Sequence, residues 1–420
     1  MTAVMLWTEV RRSPLRWWLP VLIALDVAML FGRSTWWIGV WPEASAAAQL
    51  PAYFFGMVLG GGAAWTAGRV HRAGIAEQLA AAARLRWPAE LLLLSSTLIY
   101  GLVAYAPGVM IAAVVSAPHA GPGFLWLSYL GIGVCLVVLS ASAGHLAGKL
   151  WSSRFVPPIA VAICLFGQTV LRPVRFYVLS GHVQVEIAAT AFATRFAFAL
   201  VMAVLAVTIP ARAVHRDTRG TPAGVLRPLA AVTVMAGLVM IAMAGPLQVT
   251  RAAPSQPLCS AAKPRVCLWP EEGRYVGLVS AMAARLAALP GGGLKLPETF
   301  YEAGLRDPAI PDAAADFRLL EGGVSVPSFL SSAVLNSTLP VCDVPAANSE
   351  KFTHEAFRLD AYLQVRSYGT AEALGSGGGP PGVDMREIAD VAHRPERVQA
   401  QWVSDRLAAI RRAGENCRDR

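Results

Sequence analysis

Charged residues are scarce in this 420-residue chain, where Asp, Glu, Lys and Arg together make up only 15% of the sequence. Apolar residues account for 55%, and the mean hydropathy is +0.49. Soluble globular chains carry roughly 25% charged residues on average. The composition therefore excludes an ordinary soluble protein and indicates a polytopic membrane protein.

The chain also lacks a phosphate-binding loop of the form GxxxxGK[ST], whose backbone amides and lysine hold the phosphates of ATP. The nearest approach is at Gly148 and Lys149, where Ala143 stands in place of the first glycine and Leu150 replaces the hydroxyl residue. The chain therefore cannot hold ATP phosphates by this device.

Cysteine is also rare, with six in the whole chain. Cys135 and Cys164 lie in apolar runs, which is typical of buried free thiols. The other four all follow the last apolar run: Cys259, Cys267, Cys342 and Cys417. An even number on one side of the membrane predicts two disulfides in an oxidising compartment. Of the three pairings that four cysteines allow, proximity favours Cys259 with Cys267, which leaves Cys342 with Cys417.

The net charge of +9 is unevenly distributed. Residues 1–247 contain seventeen Lys or Arg against seven Asp or Glu, whereas residues 248–420 contain nineteen against twenty. The basic residues lie in loops beside apolar runs, as membrane topology requires, so no nucleic acid partner is expected.

Seven apolar runs predict an all-α polytopic membrane protein with about seven transmembrane helices. The runs begin at about Trp17 and continue at 50–68, 91–116, 124–148, 155–171, 187–210 and 229–248. The first run could extend through Trp36, Trp37 and Trp41. Gly56 and Gly60 in the second run form a GxxxG pair, which allows another helix to approach closely.

The basic flanks predict the orientation. Thirteen Lys or Arg fall in the segments assigned to the inside and three or four in those outside, which places the N-terminus in the cytoplasm of a plasma-membrane protein. The connection 172–195 carries Arg172 and Arg175 against this bias, so we expect it outside or as a re-entrant pair. Arg195 is expected to reach the outer interface.

The domains predicted are 1–212 with six helices, 213–248 with a basic loop and the seventh helix, and an extracytoplasmic domain over 249–420. Helical spacing of apolar residues at 271–289, 349–367 and 395–413 makes this last domain mainly α-helical. His354 and Glu355 resemble part of a zinc-peptidase HExxH motif, but Arg358 stands where the second histidine must be. We therefore expect an amphipathic helix and no metal.

Asp26 lies near the middle of the first run, where a carboxylate marks a functional site or pairs with a neighbour such as Arg33. His145 and Gln168 are also polar residues within apolar runs, although neither is as costly to bury as a carboxylate. We interpret both as residues that form hydrogen bonds between helices.

Three features resemble the permease subunit of an ABC-2-type exporter: an interfacial N-terminal helix, six spans, and a polar helical segment at 73–90. The resemblance covers residues 1–212. It implies that 73–90 contacts a separate ATPase subunit through Leu79, Leu85 and Trp87, and that 172–186 forms re-entrant outer helices. A homodimer or heterodimer of permeases is left open, and the seventh span and the C-terminal domain depart from the family.

These observations predict a non-catalytic permease subunit of an ATP-driven exporter, without cofactor, embedded in the lipid bilayer. The first alternative is a membrane-anchored extracytoplasmic binding or sensor protein. The second is a degenerate zinc-peptidase-like outer domain without catalysis.

We expect a reporter fused after Asp217 to behave as cytoplasmic and one fused after Arg420 to behave as extracytoplasmic, because an odd number of spans separates the termini. Phosphatase and fluorescent-protein fusions measure this directly. A cytoplasmic reporter at Arg420 would contradict the seven-span topology.

Overall fold

The computed structural model describes residues 2–72, 87–151, 153–170, 174–210, 223–289, 293–307, 309, 316–369 and 380–418. The chain divides into two compact units. Residues 1–119 and 123–250 form the helical unit, and residues 120–122 and 251–420 form the C-terminal unit.

The helical unit is built almost entirely from helices separated by short connections. In chain order they are α1 (Thr2–Arg12), α2 (Leu15–Gly32), α3 (Trp41–Gln49), α4 (Pro51–Arg72), α5 (Trp87–Ser116), α6 (Leu127–Leu150), α7 (Val156–Val170), α8 (Ala189–Thr208) and α9 (Ala223–Met243).

Five of the described helices are long and apolar enough to cross a membrane: α2, α5, α6, α8 and α9. They coincide with the first, third, fourth, sixth and seventh predicted spans. The second predicted span coincides with the glycine-rich α4, and the fifth with α7, which has 15 residues. A span needs about 20 apolar residues, so five helices that could span a membrane are established and the count of seven spans stays a prediction.

The first span does not extend through the tryptophan cluster, which corrects that expectation. Helix α2 ends at Gly32, and α3 begins a separate helix at Trp41. Between these two helices, Gly39 has a positive φ of 81°. A left-handed residue cannot continue a right-handed helix, so the chain turns there.

The backbones of α4 and α6 are in direct contact. A Cβ atom at Gly144 of α6 would lie 2.0 Å from the Gly60 carbonyl oxygen, and one at Gly148 would lie 2.4 Å from that of Ala64. Glycines four residues apart lie on one helix face and let two helices approach this closely. The close approach predicted from the GxxxG pair is confirmed.

Large apolar side chains from several helices are buried around the contact between α4 and α6 and form the core of the helical unit. The fully or almost fully buried members include Leu15, Leu22, Phe55, Leu59, Tyr100, Leu136, Val137, Phe176 and Ile241. Because α4 and α6 carry small residues where they meet, the bulky side chains gather on their other faces.

The connection before α8 is an irregular segment over its described residues 174–188 and ends in strand β1 (Val185–Ile187). This strand pairs antiparallel with β2 (Gln248–Thr250), with Glu186 opposite Val249. The expected re-entrant helices are therefore wrong for these residues. Two side-chain amides bind the backbone of this segment. Gln168 Oε1 accepts a hydrogen bond from the Phe176 N–H, and Gln49 Oε1 accepts one from the Val178 N–H.

The C-terminal unit combines helices with short strands around its own apolar core. Its helices are α10 (Val276–Ala287), α11 (Val326–Thr338), α12 (Ala346–Tyr368), α13 (Met385–Ala392) and α14 (Glu396–Ala413), with 3-10 turns at Pro270–Tyr275 and Glu321–Gly323. Its strands are β3 (Leu258–Cys259), β4 (Arg265–Leu268), β5 (Thr299–Tyr301), β6 (Val341–Asp343) and β7 (Glu415–Arg418). The helices predicted at 349–367 and 395–413 are confirmed with small shifts in their ends, and the one predicted at 271–289 is an α-helix only from Val276 to Ala287, after a 3-10 turn.

Both predicted disulfides are present. Cys259 pairs with Cys267 across the antiparallel strands β3 and β4, and Cys342 pairs with Cys417 across β6 and β7. Their sequence separations are 8 and 75 residues. By the loop-closure model the two crosslinks stabilise the unit by about 2.5 and about 4.5 kcal/mol. Cys135 and Cys164 are free, the first buried and the second half-buried.

We expect Gly144→Ala to destabilise the helical unit by about 1–3 kcal/mol, because the new methyl group would overlap the Gly60 backbone and force α4 and α6 apart. Thermal unfolding in detergent, followed by size-exclusion chromatography, measures the loss. Gly167→Ala in α7 is the matched control, since no atom lies within 4 Å of its added Cβ. Equal stability of the two variants would contradict the close contact.

Candidate functional site

A cluster of ionisable side chains, which we call the Glu90 cluster, joins the ends of three helices. Glu90 belongs to the first turn of α5, while His145 and Lys149 lie one turn apart near the end of α6. Glu90 Oε2 lies 2.8 Å from His145 Nε2, and Glu90 Oε1 lies 3.7 Å from Lys149 Nζ. One carboxylate therefore contacts both basic side chains.

Lys149 brings the third helix into the cluster. Its ammonium group donates to the carbonyl oxygens of Ala206 (2.9 Å) and Val207 (3.3 Å), in the last turn of α8. The last four carbonyls of a helix have no partner within it and carry partial negative charge. Lys149 therefore caps the end of α8 while it balances the charge of Glu90.

Burial makes the cluster sensitive to the loss of any member. The side chain of His145 is fully buried and that of Lys149 is 2% exposed, whereas 22% of the Glu90 side chain is exposed. A buried ion whose partner is removed costs several kcal/mol. The cluster thus fixes the relative positions of α5, α6 and α8, and its exposed carboxylate is the member that a neighbouring segment can reach.

Glu90 lies three residues after Trp87, the last of the three residues assigned to the ATPase contact. Trp87 is the first residue of α5, and its side chain is 48% exposed. Leu79 and Leu85 lie outside the described residues. Glu90 is therefore the last residue of the predicted contact segment 73–90, about one turn after Trp87.

Asp26 is fully buried on α2, but its partner is not the expected one. Its Oδ2 accepts a hydrogen bond of 2.7 Å from the backbone N–H of Gly108 in α5. Gly108 follows Pro107, which lacks an N–H and interrupts the helix hydrogen bonds. Arg33 instead donates to the Leu179 carbonyl. The alternative pairing of Asp26 with Arg33 is therefore not formed, because Arg33 lies beyond the end of α2, about 10 Å further along its axis.

Gln168 and His145 differ in what they bind. His145 bonds across helices to Glu90, as predicted. Gln168 accepts from the Phe176 N–H at 2.8 Å and so fixes the irregular segment before β1 rather than a second helix. A cavity of about 130 Å³ adjoins Gln168, with Ser140 and Cys164 among its lining residues.

Arg195 does not reach an interface, which corrects the expected snorkelling. Only 1% of the residue is exposed. Its Nε donates to the Arg175 carbonyl and its Nη1 to the Ala191 carbonyl, both at 3.0 Å. Its guanidinium also lies over the Phe176 ring, 6.0 Å from the ring centre. The irregular segment supplies a carbonyl and an aromatic face, so the cation is satisfied inside the protein.

The residues of the incomplete zinc motif take part in ion pairs on the surface of α12. Glu355 binds Arg406 at 2.8 Å, and Arg358 binds Glu387. Within the described ranges there is no group of three or more His, Cys, Asp or Glu side chains placed to hold a metal. The segment therefore has the contacts of an amphipathic helix.

Sequence reasoning did not identify Glu90 or Lys149 as site residues. Glu90 is the last residue of the polar segment 73–90, and Lys149 is one of the basic residues assigned to the inside. A signal was present, because His145 and Lys149 are four residues apart and so lie on one face of α6. Their common partner on another helix could not be inferred from spacing alone.

Comparison with known proteins does not assign a family. No protein-family model matches the chain, and neither the curated proteins nor the solved structures contain a match. The functional inference therefore depends on the geometry of the chain itself.

Proposed function

We propose that this chain is the membrane permease subunit of an ATP-driven exporter of the ABC-2 type, with a separate ATPase subunit as its partner. The Glu90 cluster is the observation that carries the proposal. It lies at the end of segment 73–90, which the resemblance assigns to ATPase contact, and it joins the first turn of α5 to α6 and α8.

The cluster offers a physical route for coupling. A displacement of the segment before Trp87 would move the first turn of α5 and with it the Glu90 carboxylate. Moving that carboxylate away would leave the buried Lys149 without its counter-charge and His145 Nε2 without its hydrogen-bond partner, at a cost of several kcal/mol. The ends of α6 and α8 would therefore follow α5, and an ATPase movement would reach the helices between which a substrate passes.

The N-terminal helix supports the same proposal. Helix α1 carries Arg11 and Arg12 in its last turn and exposes 56% of Trp7, a pattern typical of a helix at the membrane surface. It is anchored to the spans, because the Val10 carbonyl accepts a bond of 2.7 Å from the Tyr100 hydroxyl and Glu9 binds Arg69 at 2.7 Å. In the proposed orientation α1 lies on the cytoplasmic face.

One observation favours the alternative of a membrane-anchored extracytoplasmic binding or sensor protein. The C-terminal unit has its own buried core and two disulfides, so it does not depend on the helical unit for an interior. In this alternative the helices only anchor that unit and no ATPase takes part. The two proposals are separated by co-purification.

We expect an affinity-tagged chain, purified from its native membrane in mild detergent, to carry with it an ATPase that contains a phosphate-binding loop. Replacing Leu79 and Leu85 together by Asp should abolish this co-purification, because buried apolar anchors carry most of the energy of an interface. Quantitative mass spectrometry of the purified samples measures the ratio of the two chains.

Val324→Asp is the matched control, since Val324 is an apolar side chain of the C-terminal unit that is 52% exposed. Both variants should enter the membrane normally, because insertion is determined by the spans. Absence of any ATPase from the wild-type sample would overturn the exporter proposal and favour the sensor.

A further inference from the structure

Three polar side chains form a relay beside the irregular segment of the helical unit. Ser180 and His182 belong to this segment, and Glu43 belongs to the first turn of α3. Ser180 Oγ lies 3.2 Å from His182 Nε2, and His182 Nδ1 lies 3.0 Å from Glu43 Oε1. The hydroxyl and the carboxylate thus contact opposite nitrogens of one imidazole ring.

The carboxylate determines how a neutral imidazole of this kind is protonated. A carboxylate only accepts hydrogen bonds, so Nδ1 of His182 must carry the proton that Glu43 binds. Nε2 is then unprotonated, and it accepts a hydrogen bond from the Ser180 hydroxyl. This is the arrangement in which a histidine can take the proton of a serine nucleophile while a carboxylate stabilises the resulting imidazolium.

Backbone contacts hold the relay in place. Glu43 Oε2 accepts a bond of 3.1 Å from the Gly181 N–H, and the Ser180 carbonyl accepts one of 2.9 Å from Gln248 Nε2. A Cβ at Gly181 would lie 2.2 Å from the Pro42 carbonyl oxygen, so only glycine allows α3 and the segment to approach this closely. The serine is therefore fixed on both sides before any ligand binds.

Two other serines, Ser45 and Ser332, make a different contact. The hydroxyl groups of Ser45 and Ser332 donate to carbonyls four residues earlier in their own helices, those of Trp41 and Ser328. Such bonds satisfy a hydroxyl without activating it. In contrast, the hydroxyl of Ser180 lies against an imidazole that a carboxylate orients.

The relay is open to small molecules. The His182 side chain is 38% exposed, and Ser180 is half-buried. Beside Ser180, Leu179 exposes 54% of its surface and offers an apolar contact. The segment also lies a few residues before the start of the apolar helix α8. This combination fits an ester that carries an acyl chain.

We propose that Ser180, His182 and Glu43 form an esterase site for carboxylic esters of acyl-chain amphiphiles. Ser180 Oγ adds to the ester carbonyl carbon while its proton passes to His182 Nε2. The carbon–oxygen bond to the alcohol then breaks, and the departing oxygen takes that proton from His182. Water next attacks the acyl-serine, gives its proton to His182, and releases the carboxylic acid as Ser180 regains its hydrogen.

The test uses the full-length chain in detergent and an alkyl fluorophosphonate, whose phosphorus forms a bond to an activated serine with loss of fluoride. Intact mass spectrometry should show one adduct on the wild type, located at Ser180. Hydrolysis of p-nitrophenyl octanoate should accompany it. Ser180→Ala should lose both, and His182→Gln and Glu43→Gln should each slow labelling by at least about 100-fold.

Ser332→Ala is the matched control and should label as the wild type does. Size-exclusion elution at the wild-type volume shows that each variant is folded. An unlabelled wild type, under conditions that label a known serine esterase, would overturn the proposal. Labelling of Ser180→Ala or undiminished labelling of His182→Gln would also overturn it, and none of these outcomes depends on an ATPase partner.

Discussion

The pairing of buried charges at the Glu90 carboxylate is the interaction on which the helical unit depends most. His145 and Lys149 have almost no contact with solvent, so each needs a partner within the protein. Glu90 supplies the negative charge, and two of the last carbonyls of α8 accept hydrogen bonds from the Lys149 ammonium group. The ends of three helices are therefore fixed by the contacts of one carboxylate and one ammonium group. The glycine contact between α4 and α6 fixes the same bundle elsewhere without any charge.

Much of the coarse fold could be predicted from the sequence because long apolar runs and cysteine positions are strong local signals. Five runs correspond to helices long enough to span a bilayer, since about 20 apolar residues leave few other stable states. The pairing of Cys259 with Cys267 followed from proximity along the chain. Gly56 and Gly60 indicated a close helix contact, because a lack of side chains is visible directly in the sequence.

The site contacts depended on partners that are distant in the sequence. Glu90 and His145 are 55 residues apart, and Asp26 meets an amide 82 residues away in α5. Arg195 was expected at an interface because no pattern shows that the irregular segment supplies a carbonyl for it. The strands of the C-terminal unit have two to four residues, too few for an alternating pattern to be recognised.

The central claim is that Glu90 and Lys149 stabilise the bundle through each other, and a double-mutant cycle tests it most directly. The variants are Glu90→Gln, Lys149→Met and their combination, and the measurement is the free energy of unfolding in mixed micelles. Each single change removes the same Glu90–Lys149 attraction, so the double variant should lose at least about 1 kcal/mol less than the sum of the two. Additivity within about 0.5 kcal/mol would contradict the account.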